Sequence, residues 1–477
     1  MRPMSPQSAP ILIASLFALA APAQAQTLAV TGATVIDGTG KDPLRDGVVL
    51  IKDGRISAVG PAGQVTIPPS TTRVDARGKY VIPGLMDANL HLFLNIDLET
   101  LIKYENRYDE IVLEAAQITL KTGQTTVFDT WGPRTALVKI RDMINAEKAP
   151  GSRIYLAGNI IGFDGPISAD FLRGAGPHVS KAFVKRINDI WEEGTGRRLM
   201  WMTPEEVRSV IREYASRDLD MLKYGATGHS DMQFISFSPR VQKIIVDEGH
   251  RAGKTVQAHT SSAEGLDAAI EAGLDILTHC ETTGDSVLIP PETIRKMVER
   301  KVPCSTLPVT QRSLDAQLKH APEAVITPLL KIKKQNQRNL IQAGAILLLS
   351  TDAGIQNPVL AAESKSVAAD TVQPRLKLGE GHFNVLVAFE EMGMKPMEIL
   401  KSATSHIARA YKLDRDIGTL EAGKIADLVI LDRDPLASAA NYRSIHTVIK
   451  DGRVVDRDRL PVTPIISAMK VARDSVH

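Results

Sequence analysis

The hexapeptide Ile51-Lys52-Asp53-Gly54-Arg55-Ile56 returns near the other end of the chain as Ile449-Lys450-Asp451-Gly452-Arg453-Val454. Asp-Gly between alternating apolar residues is a strong hairpin signal, because a type I′ turn needs positive φ at both central positions. Short β-rich pieces surround both copies: LAVTGATVIDG, GVVLIKDGRISAVG and TRVDARGKYVIPG at the start, Ala426–Leu431 at the end. This constrains the fold strongly. The two ends are expected to co-fold into one small β domain, residues 26–80 with 415–477, and the middle must leave it and return.

Between residues 81 and 414 β-type runs alternate with amphipathic helices, the texture of βα units on a parallel sheet. Thr203-Pro204-Glu205-Glu206 is a capping box, and Ser238 with Pro239 opens a helix that stops at Gly253. Expected strands are Val81–Met86, Thr125–Thr130, Ile154–Ala157, Asp220–Lys223, Thr255–Ala258, Ile276–Thr278, Pro303–Leu307 and Ala345–Thr351. The expected fold is therefore α/β: a (β/α)8 TIM-like barrel over 81–414, with an insertion at about 159–218 and a small β-sandwich domain formed by both termini. The rival open sheet lacks a G-x-G-x-x-G after any strand.

The first residues read as an address. Arg2, an apolar run from Ile11 to Ala21, Pro22 and Ala23-Gln24-Ala25 match a signal peptide (1–25) cleaved before Gln26, and hence a periplasmic or secreted protein. That run is too short to span a bilayer, and no later segment has about 20 uninterrupted apolar residues, so no membrane span is expected. With 57 basic against 55 acidic side chains in 477 residues there is no electrostatic footprint for nucleic acid. Two cysteines, Cys280 and Cys304, cannot make a disulfide framework for a body this size.

Barrel enzymes place their chemistry at the carboxyl ends of strands. Those ends carry Asn89 and His91, Lys223, His259, His279 and Asp352. Singly, each has an ordinary explanation: a strand-end histidine is usually structural, an Asp before Ala-Gly a turn residue, a lysine a snorkelling surface group. Together, three imidazoles and a carboxylate suit a hydrolytic divalent-metal site. Lysine has no lone pair to offer as an ammonium. Partly desolvated, it can react with carbon dioxide, and the carbamate is an anion able to bridge two metals.

Val81-Ile82-Pro83-Gly84-Leu85-Met86-Asp87-Ala88-Asn89-Leu90-His91, Gly123-Gln124-Thr125-Thr126, Val256-Gln257-Ala258-His259, Leu277-Thr278-His279 and Ser350-Thr351-Asp352-Ala353-Gly354 resemble successive strand segments of the amidohydrolase superfamily. Gly418-Thr419-Leu420-Glu421-Ala422-Gly423-Lys424-Ile425-Ala426-Asp427 is similar to its return to the small domain. Where the superfamily usually has His-x-His, this chain has Asn89-Leu90-His91, which resembles the subgroup containing phenylurea hydrolases and molinate hydrolase. Imidazolonepropionase-like proteins, Xaa-Pro dipeptidases and ochratoxin-type amidases are related branches.

The resemblance implies a secreted hydrolase of amide, urea or (thio)carbamate bonds in small molecules, of a kind that often forms homo-oligomers. It implies one or two divalent metals, zinc first, with cobalt or manganese able to serve, on Asn89, His91, Lys223, His259, His279 and Asp352. Asp352 would move the proton as catalytic residue. A dipeptidase or N-acyl amino acid amidase would also need a clamp for the substrate carboxylate, for which Arg173, Tyr224, His229 and His382 are candidates. A degenerate barrel that binds metal or ligand without turnover is the alternative from another class.

Overall fold

The computed structural model describes residues 27–93, 97–229, 231–284, 286–320, 326–359 and 374–470. The expected signal peptide lies outside the described residues. Strands β1 (Thr27–Val35), β2 (Leu44–Lys52), β3 (Arg55–Pro61), β4 (Thr72–Asp75) and β5 (Tyr80–Pro83) open the chain. Then come β6 (Leu85–Leu90), β7 (Gln124–Asp129), β8 (Arg153–Leu156), β9 (Ile160–Ile161), β10 (Met221–Gly225), β11 (Thr255–His259), β12 (Ile276–Thr278), β13 (Cys304–Thr306) and β14 (Leu347–Leu349). β15 (Leu428–Leu431), β16 (Ile445–Lys450) and β17 (Arg453–Val454) close it.

Both chain ends build one eight-stranded sheet, in the order β17-β16-β15-β5-β1-β2-β3 with β4 beside β1. The repeated Asp-Gly turns behave as the sequence predicts: Asp53 and Gly54 have φ of 50° and 76°, Asp451 and Gly452 of 50° and 75°. The two turns also touch. A Cβ on Gly452 would stand 2.9 Å from the Gly54 Cα, and Ala426 N–H donates to the Gly54 carbonyl while Gly452 N–H donates to that of Ala426. Val30, Val49, Ile51, Val81, Leu428, Ile430 and Ile449 form a common core beneath.

The remaining strands are parallel, in sheets β6-β7-β8 and β9 to β14. One expected strand splits. Val81–Met86 is not one strand: Tyr80–Pro83 pairs with β1 and β15, and a second strand begins at Leu85. The break falls at Gly84, where a Cβ would lie 2.1 Å from Thr125 Oγ1, so only glycine lets the chain change sheets there. Buried Arg153 at the start of β8 reaches Asp427 at 2.5 Å and also pairs with Asp451, tying the parallel strands to the terminal sheet.

Helices pack against these strands as patterned. Thr203 and Glu206 make the reciprocal capping box of helix Pro204–Ala215, which packs on helix Pro239–Arg251. The insertion holds more than a loop: β9 pairs with β10, and helix Lys181–Glu192 follows. Trp191 on that helix is buried against Phe93 and Tyr108, whereas Trp201 is 90% exposed. No helix among the described residues is long and apolar enough to cross a membrane.

Candidate active site

Strand alternation decides which side chains reach the site. On β10 Lys223 points inward, so Tyr224 must point outward: its hydroxyl donates to Gln242 on helix Pro239–Arg251. Inside, Lys223 Nζ donates to Asn89 Oδ1 at 2.8 Å and to Thr130 Oγ1 at 3.0 Å, and the Thr130 hydroxyl donates to Asn89 Oδ1 at 2.5 Å. The Asn89 amide Nδ2 donates to Asp352 Oδ1 at 3.1 Å. These neighbours dictate the amide's orientation, since an ammonium only donates and a carboxylate only accepts. Asn89 therefore links Lys223 to Asp352.

Two imidazoles meet the same carboxylate, and the third stands beside them. His91 Nε2 lies 3.0 Å and His279 Nε2 3.8 Å from Asp352 Oδ1, and the His259 ring centroid stands 5.1 Å from that of His279. His279 and Asp352 both take left-handed backbone, φ of 64° and 57°, a costly choice that turns each side chain as its strand ends. Backbone bonds hold these turns: His279 N–H to the Ser305 carbonyl, Asp352 N–H to that of Asn89, and His91 N–H to that of Ala353. Beneath, the buried Asp87 carboxylate accepts from Thr351 Oγ1 at 2.6 Å and from the backbone N–H groups of Thr351 and Asn89. It fastens β6 to the segment after β14.

Electrostatics divides the donors. Burial lowers the His259 and His279 pKa values well below the ordinary histidine range and lowers His91 as well, so the rings are neutral with lone pairs to give. Burial works against ionised Asp352 too, but His279, His91 and Arg375, whose Nη1 is 4.0 Å from Oδ2, hold its carboxyl well below the usual range. Burial pushes Lys223 down to about 8, against the pull of Asp352 and Asp129. His91 Nδ1, His259 Nε2 and His279 Nδ1 are buried without a hydrogen-bond partner. Such atoms are costly unless something else engages them. Three neutral imidazoles with an ionised carboxylate, each ring keeping one unspent nitrogen, fit a divalent cation.

The family model for the amidohydrolase family matches residues 80–455, the span that carries every one of these side chains. The chain belongs to the amidohydrolase family. This amidohydrolase is similar over its length to the solved structures of molinate hydrolase (TM-score 0.88, 36% identity, 95% of this chain and 99% of that one) and of phenylurea hydrolase B (0.88, 35%, 93% and 100%). It is also 24% identical over 450 residues to an ochratoxinase of Aspergillus niger, covering 91% of this chain and 85% of that one. The amidohydrolase is a hydrolase of C–N bonds, in a superfamily that generally uses divalent metals.

Of the four candidate clamps, the structure brings one into the site. The His229 ring lies 5.5 Å from that of His259. Arg173 is exposed, its Nε donating to the Ala169 carbonyl, and His382 packs on Phe383 with Nε2 3.2 Å from the Thr122 carbonyl, remote from the histidines. Tyr224 faces outward, as above. Sequence reasoning did not find Asp87, Thr130 or Arg375. Asp87 stood in a quoted motif but had no assigned role, and nothing in the sequence aims Arg375 at β14.

Asn89→Ala removes the link between Lys223 and Asp352. Turnover is expected to fall at least ~10-fold, the scale of losing a partner that orients metal ligands, with metal content falling in parallel by elemental analysis. Full metal occupancy in an inactive variant would show that Asn89 positions and does not ligate.

Proposed function

We propose that this amidohydrolase is an exported, divalent-metal-dependent enzyme that cleaves amide, urea or (thio)carbamate bonds of small molecules. The observation that carries the reading is the meeting of His91 and His279 at ionised Asp352, with His259 beside His279 and desolvated Lys223 alongside. One metal position would draw on Asn89, His91 and Asp352, a second on His259 and His279, with Lys223 between them. A divalent ion there supplies Lewis acidity toward a carbonyl and lowers the pKa of water toward neutrality. Asp352 takes the proton of the attacking water and returns it to the departing nitrogen or sulfur. The neutral Lys223 amine attacks carbon dioxide; a C–N bond forms, one proton leaves, and the carbamate remains as a bidentate anion.

Other observations support parts of this reading. The disulfide between Cys280 and Cys304, Cα atoms 6.2 Å apart, belongs to an oxidising compartment, in keeping with residues 1–25 as a signal peptide. The bonds joining the β6 and β14 ends favour closure of a (β/α)8 barrel over 81–414. The joint sheet supports one small β domain of 26–80 and 415–477. His229, the candidate clamp that reaches the site, has its Nδ1 2.5 Å from the Asp170 carbonyl, which only accepts, so Nδ1 carries the proton.

Prolonged chelation should abolish hydrolysis, and zinc, cobalt or manganese should restore it, in a screen of aryl ureas, thiocarbamates, N-acyl amino acids and Xaa-Pro dipeptides. Full activity in protein shown by elemental analysis to be metal-free would sink the reading. No turnover of any substrate by metal-loaded protein would favour a binding barrel.

A further inference from the structure

The segment after β8 brings a wall of rings to the candidate site. The Phe171 ring lies flat on Trp131, centroids 3.8 Å apart and planes 17° apart, and 5.0 Å from the His229 ring. Behind it, Phe163 meets His259 edge-on at 5.4 Å, and Trp131 stands 6.2 Å from His91. Trp131 and Phe163 are buried, whereas Phe171 and His229 are partly exposed, so the latter two form the surface of the wall.

This surface is held in place. The fully buried Asp170 carboxylate accepts from Arg197 Nε at 3.0 Å and from Asp164 N–H at 3.1 Å, while the Asp170 carbonyl accepts from His229 Nδ1. One residue thus fixes Phe171 along the chain and His229 across the site. The held rings offer π faces and edges, which reward a flat aromatic partner beyond the area it buries; a saturated ring of similar size gains the area alone.

We propose that Phe171 is a specificity-determining residue: with His229 it receives a planar aryl substituent of the substrate, so that N-aryl amides and ureas are preferred over saturated analogues. The proposal rests on the hydrolase reading above for its reaction, but not for its binding.

The test compares acetanilide with N-cyclohexylacetamide in wild type, Phe171→Ala, Phe171→Leu and Phe171→Tyr. Intrinsic reactivity cancels because the same pair is used throughout. The ratio of kcat/KM, phenyl over cyclohexyl, is expected to fall about three- to tenfold in Phe171→Ala and in Phe171→Leu, which keeps the bulk needed for folding, and to stay within about twofold in Phe171→Tyr. An unchanged ratio in the soluble Ala or Leu variant overturns the proposal. Equilibrium binding of phenylurea to chelator-treated protein supplies a second readout, with weaker binding by a similar factor expected in both variants. Binding that is absent from wild type, or equal in all four proteins, overturns the subsite whatever the turnover. A binding preference without turnover of either amide by metal-loaded wild type sinks the hydrolase reading and leaves the subsite standing.

Discussion

Asp352→Asn should lose at least ~10²-fold in kcat, the scale of removing a general acid–base group. The substitution keeps the shape of the side chain, and its amide oxygen can still accept from His91 Nε2 and Asn89 Nδ2, which meet Oδ1 at 3.0 and 3.1 Å in the wild type. What disappears is the ability to take a proton and give it back. Because the neighbouring imidazoles and Arg375 keep the carboxyl ionised against the cost of burial, the base is available across the neutral range, and the variant should lag at every pH in that range. KM should change far less than kcat. The carboxylate is also a candidate ligand, so metal content must be measured beside the rates: a slow variant with full metal isolates the proton-transfer role, and near-wild-type turnover with full metal would place the base elsewhere.

Much of the candidate site was legible because it obeys a simple rule. Strands alternate, and polar residues that interrupt apolar runs at strand ends are few; Asn89, His91, Lys223, His259, His279 and Asp352 all fell out of that rule together. The same rule, applied one residue further, excludes Tyr224, since neighbours on a strand face opposite ways. His382 failed differently. It opens a helix, Gly381–Glu391, whose placement against Thr122 depends on packing between distant segments. The split at Gly84 was hidden because a run of buried residues reads as one strand until the Thr125 side chain crossing it is known. Phe171 had no sequence signal at all. Its position follows from a buried carboxylate meeting Arg197 across the insertion, a pairing between residues 27 apart with no pattern to announce it.

Lys223→Ala should cost both metal and activity, with turnover down at least ~10²-fold, because the side chain is asked to supply the anion between two metal positions. The argument starts from burial. An ammonium 1% exposed is expensive, and the pull of Asp352 and Asp129 leaves its pKa near 8, so a usable fraction is free amine at neutral pH. Asn89 Oδ1 and Thr130 Oγ1 hold Nζ from one side, which fixes where a carbamate would project. Protein equilibrated with ¹³C-bicarbonate should show a carbamate resonance that Lys223→Ala lacks. Lys223→Arg keeps the charge, cannot form the carbamate, and should be as inactive as Lys223→Ala. Formate, acetate or propionate should partly restore metal and rate to the alanine variant by filling the space with a carboxylate, and should do nothing for the arginine variant, whose side chain occupies it. A labelled wild type that is active and metal-loaded without a carbamate signal would refute the bridge, while equal metal content in wild type and Lys223→Ala would reduce Lys223 to a partner of Asn89.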